Sequence, residues 1–154
     1  MKQLKYTILF LIFNFGGLAI GSWLMNNGPQ TEWYTNLNQA PWTPPGWVFG
    51  VAWTTIMICF SIYLGKLFTQ GKKKKFLAYI FLIQFILNVS WNYIFFNQHQ
   101  VLFALITIIL LTSLLFYYFF KLSSKIDNYR YLLLPYMIWL CIATSLNLYV
   151  LIHN

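Results

Sequence analysis

The 154-residue sequence predicts an all-α fold, an integral membrane bundle of five transmembrane helices. Three observations carry this. Charged residues make up only 8% of the chain, against about 25% in a soluble domain, so the surface cannot be mostly wet. Five apolar stretches reach the roughly 20 helical residues that a bilayer requires. All ten basic residues fall at the edges of those stretches, on alternate connections. Lipid offers backbone groups no hydrogen-bond partner, so the spans satisfy themselves as helices. A barrel strand would alternate in polarity, and FLAYIFLIQFILNVSW (76–91) does not.

The predicted spans are 6–25, 47–68, 76–96, 101–120 and 131–152, in a single domain covering 1–154. In the first, Gly17-x-x-x-Gly21 reads as a motif that lets helix backbones approach. Ala19-x-Gly21 also resembles a signal-peptidase site, but four more spans follow, and a permanent first helix is the preferred reading. The connection 26–46 is long. The second span follows Thr43-Pro44-Pro45, where Thr43 is expected to be the N-cap with proline in the first turn. A lysine run (69–75), a tight polar turn (97–100) and a mixed loop (121–130) join the remaining spans. Cys59 and Cys141 lie inside apolar runs, without CxxC spacing or a nearby His, and read as small apolar core residues.

The positive-inside tendency places the N-terminus in the cytoplasm and the C-terminus outside in a multi-pass membrane protein, and the nine-to-one excess of Lys over Arg points to an AT-rich bacterial genome and hence a bacterial cell membrane. The net charge of +8 then meets lipid phosphates, and no nucleic acid is expected as a partner.

Conventional catalysis is poorly supplied. The two acids, Glu32 and Asp127, fall on opposite sides of the membrane and cannot form a carboxylate pair. His99 and His153 lie at membrane edges without acidic or Cys partners, so no metal site is expected. There is no Ser-His-Asp set, P-loop or Gly-rich nucleotide motif.

Polar and aromatic residues inside the spans are more informative. Gln84, Asn88, Trp91, Asn92 and Phe95 share one helical face; Pro135, Trp139, Ala143, Leu146 and Asn147 share another. Amides facing lipid are costly, so both faces are expected to point into the bundle, as interhelical locks or as the walls of a small-molecule site. An aromatic belt accounts for Trp23 and for Trp33, but less well for Trp53 and Trp139, which lie deeper.

The segment WYTNLNQAPWTPPGWVFGVAW (33–53) holds four of the seven tryptophans and three of the five prolines. It resembles the signature of the TspO/MBR family, the translocator or tryptophan-rich sensory proteins, also called peripheral benzodiazepine receptors. Trp33, Tyr34, Leu37, Trp42, Pro44, Pro45, Trp47, Val48, Phe49 and Trp53 carry the likeness. LNVSWNYIFF (87–96) and LPYMIWLCIATSLNLYVLIHN (134–154) resemble the family's third- and fifth-helix motifs.

The resemblance implies a five-helix bundle, often a homodimer, whose first connection folds over a cavity between helices. It implies binding of tetrapyrroles, protoporphyrin IX or haem, as ligands; no cofactor is required. By motif, Tyr34, Trp42, Trp53, Asn88, Trp91, Trp139, Ala143 and Asn147 would line the cavity, with Pro44 and Pro45 shaping the lid. The same likeness carries a rival function, light-dependent porphyrin degradation assisted by Trp53 and Trp139. Coupled transport is less favoured, since the spans carry no internal charges and no inverted repeat.

Overall fold

A computed structural model describes residues 1–154, apart from the side chains of Lys125 and Asp127. The expectations for that acid and that base therefore lie outside the described residues. Among the described residues, five helices are long and apolar enough to cross a membrane. They are α1 (Lys2–Leu24), α3 (Gly46–Gln70), α4 (Lys74–Asn92), α5 (Val101–Phe120) and α6 (Leu134–His153); a short α2 (Glu32–Thr35) lies between the first two. The chain is an all-α membrane bundle, as the composition predicts.

The helices close a ring in the order α3, α1, α4, α5, α6 and back to α3. Between helices in lipid, the gain comes from packing and buried polar pairs rather than from transfer out of water. The seams show both. A Cβ on Gly17 would lie 2.7 Å from the Phe85 ring, and one on Gly21 would lie 2.8 Å from the Asn92 amide nitrogen. The Gly-x-x-x-Gly motif thus seats α1 on α4. Gly65 brings α3 onto the Thr7 backbone of α1, and along the same seam the buried Asn14 amide donates to Ser61 Oγ at 2.8 Å. Phe60, Tyr63, Leu64, Leu111, Leu115, Tyr118, Tyr136 and Leu140 fill the centre.

The helices run so that the N-terminus and the 71–73 and 121–133 connections share one end, which holds the lysines. The first connection, the 98–100 turn and the C-terminus share the other. Contacts agree at both ends. Lys74 Nζ donates to Tyr6 OH at 2.9 Å, and Asn97 Nδ2 donates to the Leu24 carbonyl at 3.4 Å.

Asn26 and Asn27, with φ of 47° and 57°, stop α1 and turn the chain into a lid. Asparagine is among the few residues that tolerate this left-handed backbone. The Thr31 side chain then caps α2 by accepting from the Tyr34 amide.

Several expectations are corrected. Thr43 is not the N-cap of the second span: Pro45 holds that position in extended backbone and α3 opens at Gly46. A residue before proline is disfavoured in the helical region, and two successive prolines push the helix start past Thr43 and Pro44. The fourth connection, expected as a mixed loop over 121–130, is two 3-10 turns, Leu122–Lys125 and Asp127–Leu133, and the last α-helix, expected from 131, begins at Leu134 with Pro135 in its first turn. Cys141 is exposed on the outer face of α6 and Cys59 is only partly buried, so neither is a core residue. Their surroundings are apolar on both sides of the helix, and hydrophobicity alone could not tell lipid from core.

Candidate ligand site

The lid and the ends of α4 and α6 line a partly open cavity of about 50 Å³. Tyr34, Gln39 and Thr43 come from the lid; Trp91, Phe95 and Phe96 from the α4 side; Ala143, Leu146, Asn147 and Val150 from α6. The α4 wall depends on a local irregularity. Residues Tyr93–Asn97 form one turn of π-helix. A π-turn has more residues per turn than an α-helix, so neighbours are separated by a smaller angle. That narrower spread lets consecutive Phe95 and Phe96 both reach the cavity. Trp91 stacks on Phe95 at 5.2 Å and meets Phe96 edge-on at 5.8 Å.

Asn147 is the polar keystone of this end and is buried. Its side-chain oxygen accepts from Trp91 Nε1 at 3.1 Å, and its Nδ2 donates to the Val101 carbonyl at 3.1 Å. One amide thus joins α4, α6 and the first turn of α5. Of the two roles open to it in the sequence, a helix lock or a ligand contact, it fills the first.

The lid is held down at its edges. Trp42 Nε1 donates to Ser145 Oγ at 3.1 Å, and its ring meets Tyr149 edge-on. The Asn38 amide donates to Asn154 Oδ1 at 2.8 Å, and Asn154 Nδ2 returns a bond to the Asn38 carbonyl. Gln39 Nε2 donates to the Tyr34 carbonyl. Trp33 stacks on His99 at 4.0 Å and packs on Phe95. It is a lid contact rather than a member of a lipid-facing belt; Trp23, 77% exposed, fits the belt. His153 likewise stacks on Tyr149 at 3.8 Å. Burial pushes the Tyr34 phenol above its ordinary pKa, so it stays a neutral hydroxyl.

The residues picked out in the sequence divide into two groups. Tyr34, Trp91, Ala143 and Asn147 line the cavity. Trp53 and Trp139 each lie on the α3–α6 seam, Trp53 against Tyr136 at 5.9 Å and Trp139 against Phe49 at 5.1 Å, and neither is among the cavity-lining residues. Trp42 clasps the lid from outside. Pro44 and Pro45 stiffen the approach to α3. Asn88 is half-buried one turn below Asn92, whose amide donates to its carbonyl. Gln39, Thr43, Phe96 and Val150 were not anticipated as lining residues. The two lid residues have no periodicity to betray them, and Phe96 depends on the π-turn.

The sequence profile of the TspO/MBR family matches residues 8–153. The chain belongs to the TspO/MBR family. It is 30% identical over 150 residues to the tryptophan-rich protein TspO of Bacillus cereus, covering 96% of this chain and 94% of that one. It is 31% identical to TspO of Chlorobaculum tepidum, over 82% of each chain. It is also 31% identical to the human translocator protein, over 85% of this chain and 79% of the human one. TspO/MBR membership agrees with the five-helix layout and with a multi-pass membrane location. It also supplies the setting for the lid, since residues 33–53 lie well inside the matched region.

Proposed function

We propose that this protein binds a planar aromatic ligand, a porphyrin such as protoporphyrin IX or haem, beneath the lid, in a sensory or regulatory role. The observation that supports this most is the aromatic enclosure of Trp91, Phe95, Phe96 and Tyr34, with Ala143 opposite and the lid above. Rings with exposed faces stack on a conjugated macrocycle. Relatives are named a sensory protein and a translocator, which suits a ligand-responsive membrane protein.

The cavity, about 50 Å³ with the lid down, is far below the roughly 300–1,000 Å³ of sites for drug-sized ligands. Binding therefore requires the lid to lift and the α4 and α6 ends to part. The lid's peripheral clasps at Asn38, Trp42 and Trp33 are suited to such opening, because none is part of the central core. Spectral titration of the purified protein with protoporphyrin IX, followed at the Soret band, tests the reading. A saturable change supports it, and its absence rejects it.

A second reading is light-dependent porphyrin degradation. The two tryptophans on the α3–α6 seam favour it, Trp53 in contact with Tyr136 and Trp139 with Phe49, because Trp and Tyr rings are oxidisable and could pass electrons to an excited porphyrin. The excited porphyrin would supply the photochemistry, since no acid–base pair faces the cavity. Homodimerisation belongs to the same proposal, as does a lid on the outer face of the membrane.

A further inference from the structure

The lid end is without positive charge. Residues 25–45, 93–101 and 143–154 contain no Lys or Arg. The only charged side chain among them is that of Glu32, exposed in the first turn of α2. Neither histidine of that end lines the cavity; His99 is stacked on Trp33 and His153 on Tyr149.

The polar groups that do line it are neutral: the Tyr34 phenol, the Gln39 amide, the Thr43 hydroxyl and the Asn147 amide. Two of these are already engaged. Gln39 Nε2 is held by the Tyr34 carbonyl, and both ends of the Asn147 amide are bonded to Trp91 and Val101. A carboxylate drawn into this space would shed its water and meet no counter-charge. Burial of an unpaired ion is among the costliest events in a protein. Glu32, on the same short helix as Tyr34, adds negative rather than positive charge to this end.

We infer that the site selects its ligand for an uncharged planar ring, and that ionised carboxylates on that ring weaken binding or stay in water outside the lid. The inference rests on the proposed porphyrin site and narrows its substrate class. Gln39 and Thr43 are the positions that set this preference, because a cation at either would meet a carboxylate entering under the lid.

The test compares protoporphyrin IX with its dimethyl ester on the full chain, in nanodiscs of zwitterionic phosphatidylcholine. Titration of empty nanodiscs is subtracted to remove partitioning into lipid. The ester is expected to bind at least as tightly as the free acid. Gln39→Lys is expected to shift the acid-to-ester affinity ratio about tenfold toward the acid, the scale of one charge-assisted hydrogen bond. Thr43→Lys provides the same comparison if Gln39→Lys does not fold. The free acid binding more tightly than the ester in the unaltered protein overturns the inference and leaves the porphyrin site standing. So does a ratio that neither lysine changes. Binding of neither compound removes the porphyrin site and this inference with it.

Discussion

The indole nitrogen of Trp91 donates to the side-chain oxygen of Asn147 across 3.1 Å, linking helices α4 and α6 at the floor of the lid cavity. The other half of the same amide reaches the Val101 carbonyl, so loss of one side chain unties three helices. Asn147→Ala leaves the Trp91 N–H and that carbonyl without their partner. Interhelical hydrogen bonds in membranes are worth about 1 kcal/mol, and Asn147→Ala is expected to destabilise by that order. Thermal unfolding in detergent checks it. No loss of stability would mean that water or a neighbouring side chain replaces the amide.

Trp42 clasps the lid through one hydrogen bond and one edge contact. Trp42→Phe removes the bond to Ser145 and keeps a ring. If lid opening limits ligand access, about 1 kcal/mol less on the closed state raises the open population and the association rate about fivefold. Stopped-flow mixing with protoporphyrin IX measures that rate. An unchanged rate would place the ligand's route elsewhere.

Trp53 separates binding from chemistry. It lies on the α3–α6 seam against Tyr136 rather than on the cavity wall. Trp53→Phe keeps a ring face and is expected to cost no more than about 1 kcal/mol in porphyrin affinity, the scale of an aromatic pair. If Trp53 passes electrons to an excited porphyrin, the same change abolishes light-driven loss of Soret absorbance while dark binding persists. Decay equal to wild type removes Trp53 from any catalytic role. Absence of decay in the wild type removes the degradation reading.

Orientation follows from the lysines lying at one end and the lid at the other. A cysteine introduced at Asn36 is expected to react with an impermeant maleimide in intact cells, and one at Gln70 is not. Cys141 lies on the outer face of α6, so both are best placed in a Cys-free background. The opposite labelling pattern would invert the protein in the membrane and leave the bundle unchanged.

The parts legible in the sequence are those governed by periodicity and cost. Lipid leaves helices as the only economical spans, and Gln84 and Asn147 turn inward, where their amides find partners in Tyr136, Trp91 and the Val101 carbonyl. Gly17 and Gly21 were readable as a close-packing pair, though not the helix they meet. The illegible parts depend on geometry that no single residue encodes. Nothing in YIFFN announces a π-turn, yet that turn brings Phe96 to the cavity. The proline pair was visible, but its effect on the start of α3 depended on which proline kept an extended backbone. The division of the predicted lining between the cavity and the α3–α6 seam reflects the ring order of the helices, which hydropathy does not contain.

Ala143 offers the most direct test of the central claim. It lines the cavity one helical turn from both Trp139 and Asn147, and a larger side chain there would fill the space that a ligand needs. The measurement is a Soret titration with protoporphyrin IX of the wild-type protein and of Ala143→Phe, each shown to be folded by its unfolding transition in detergent. A site beneath the lid predicts saturable binding by the wild type and at least tenfold weaker binding by the variant. Equal affinity in the two folded proteins, or no saturable binding by the wild type, would contradict it.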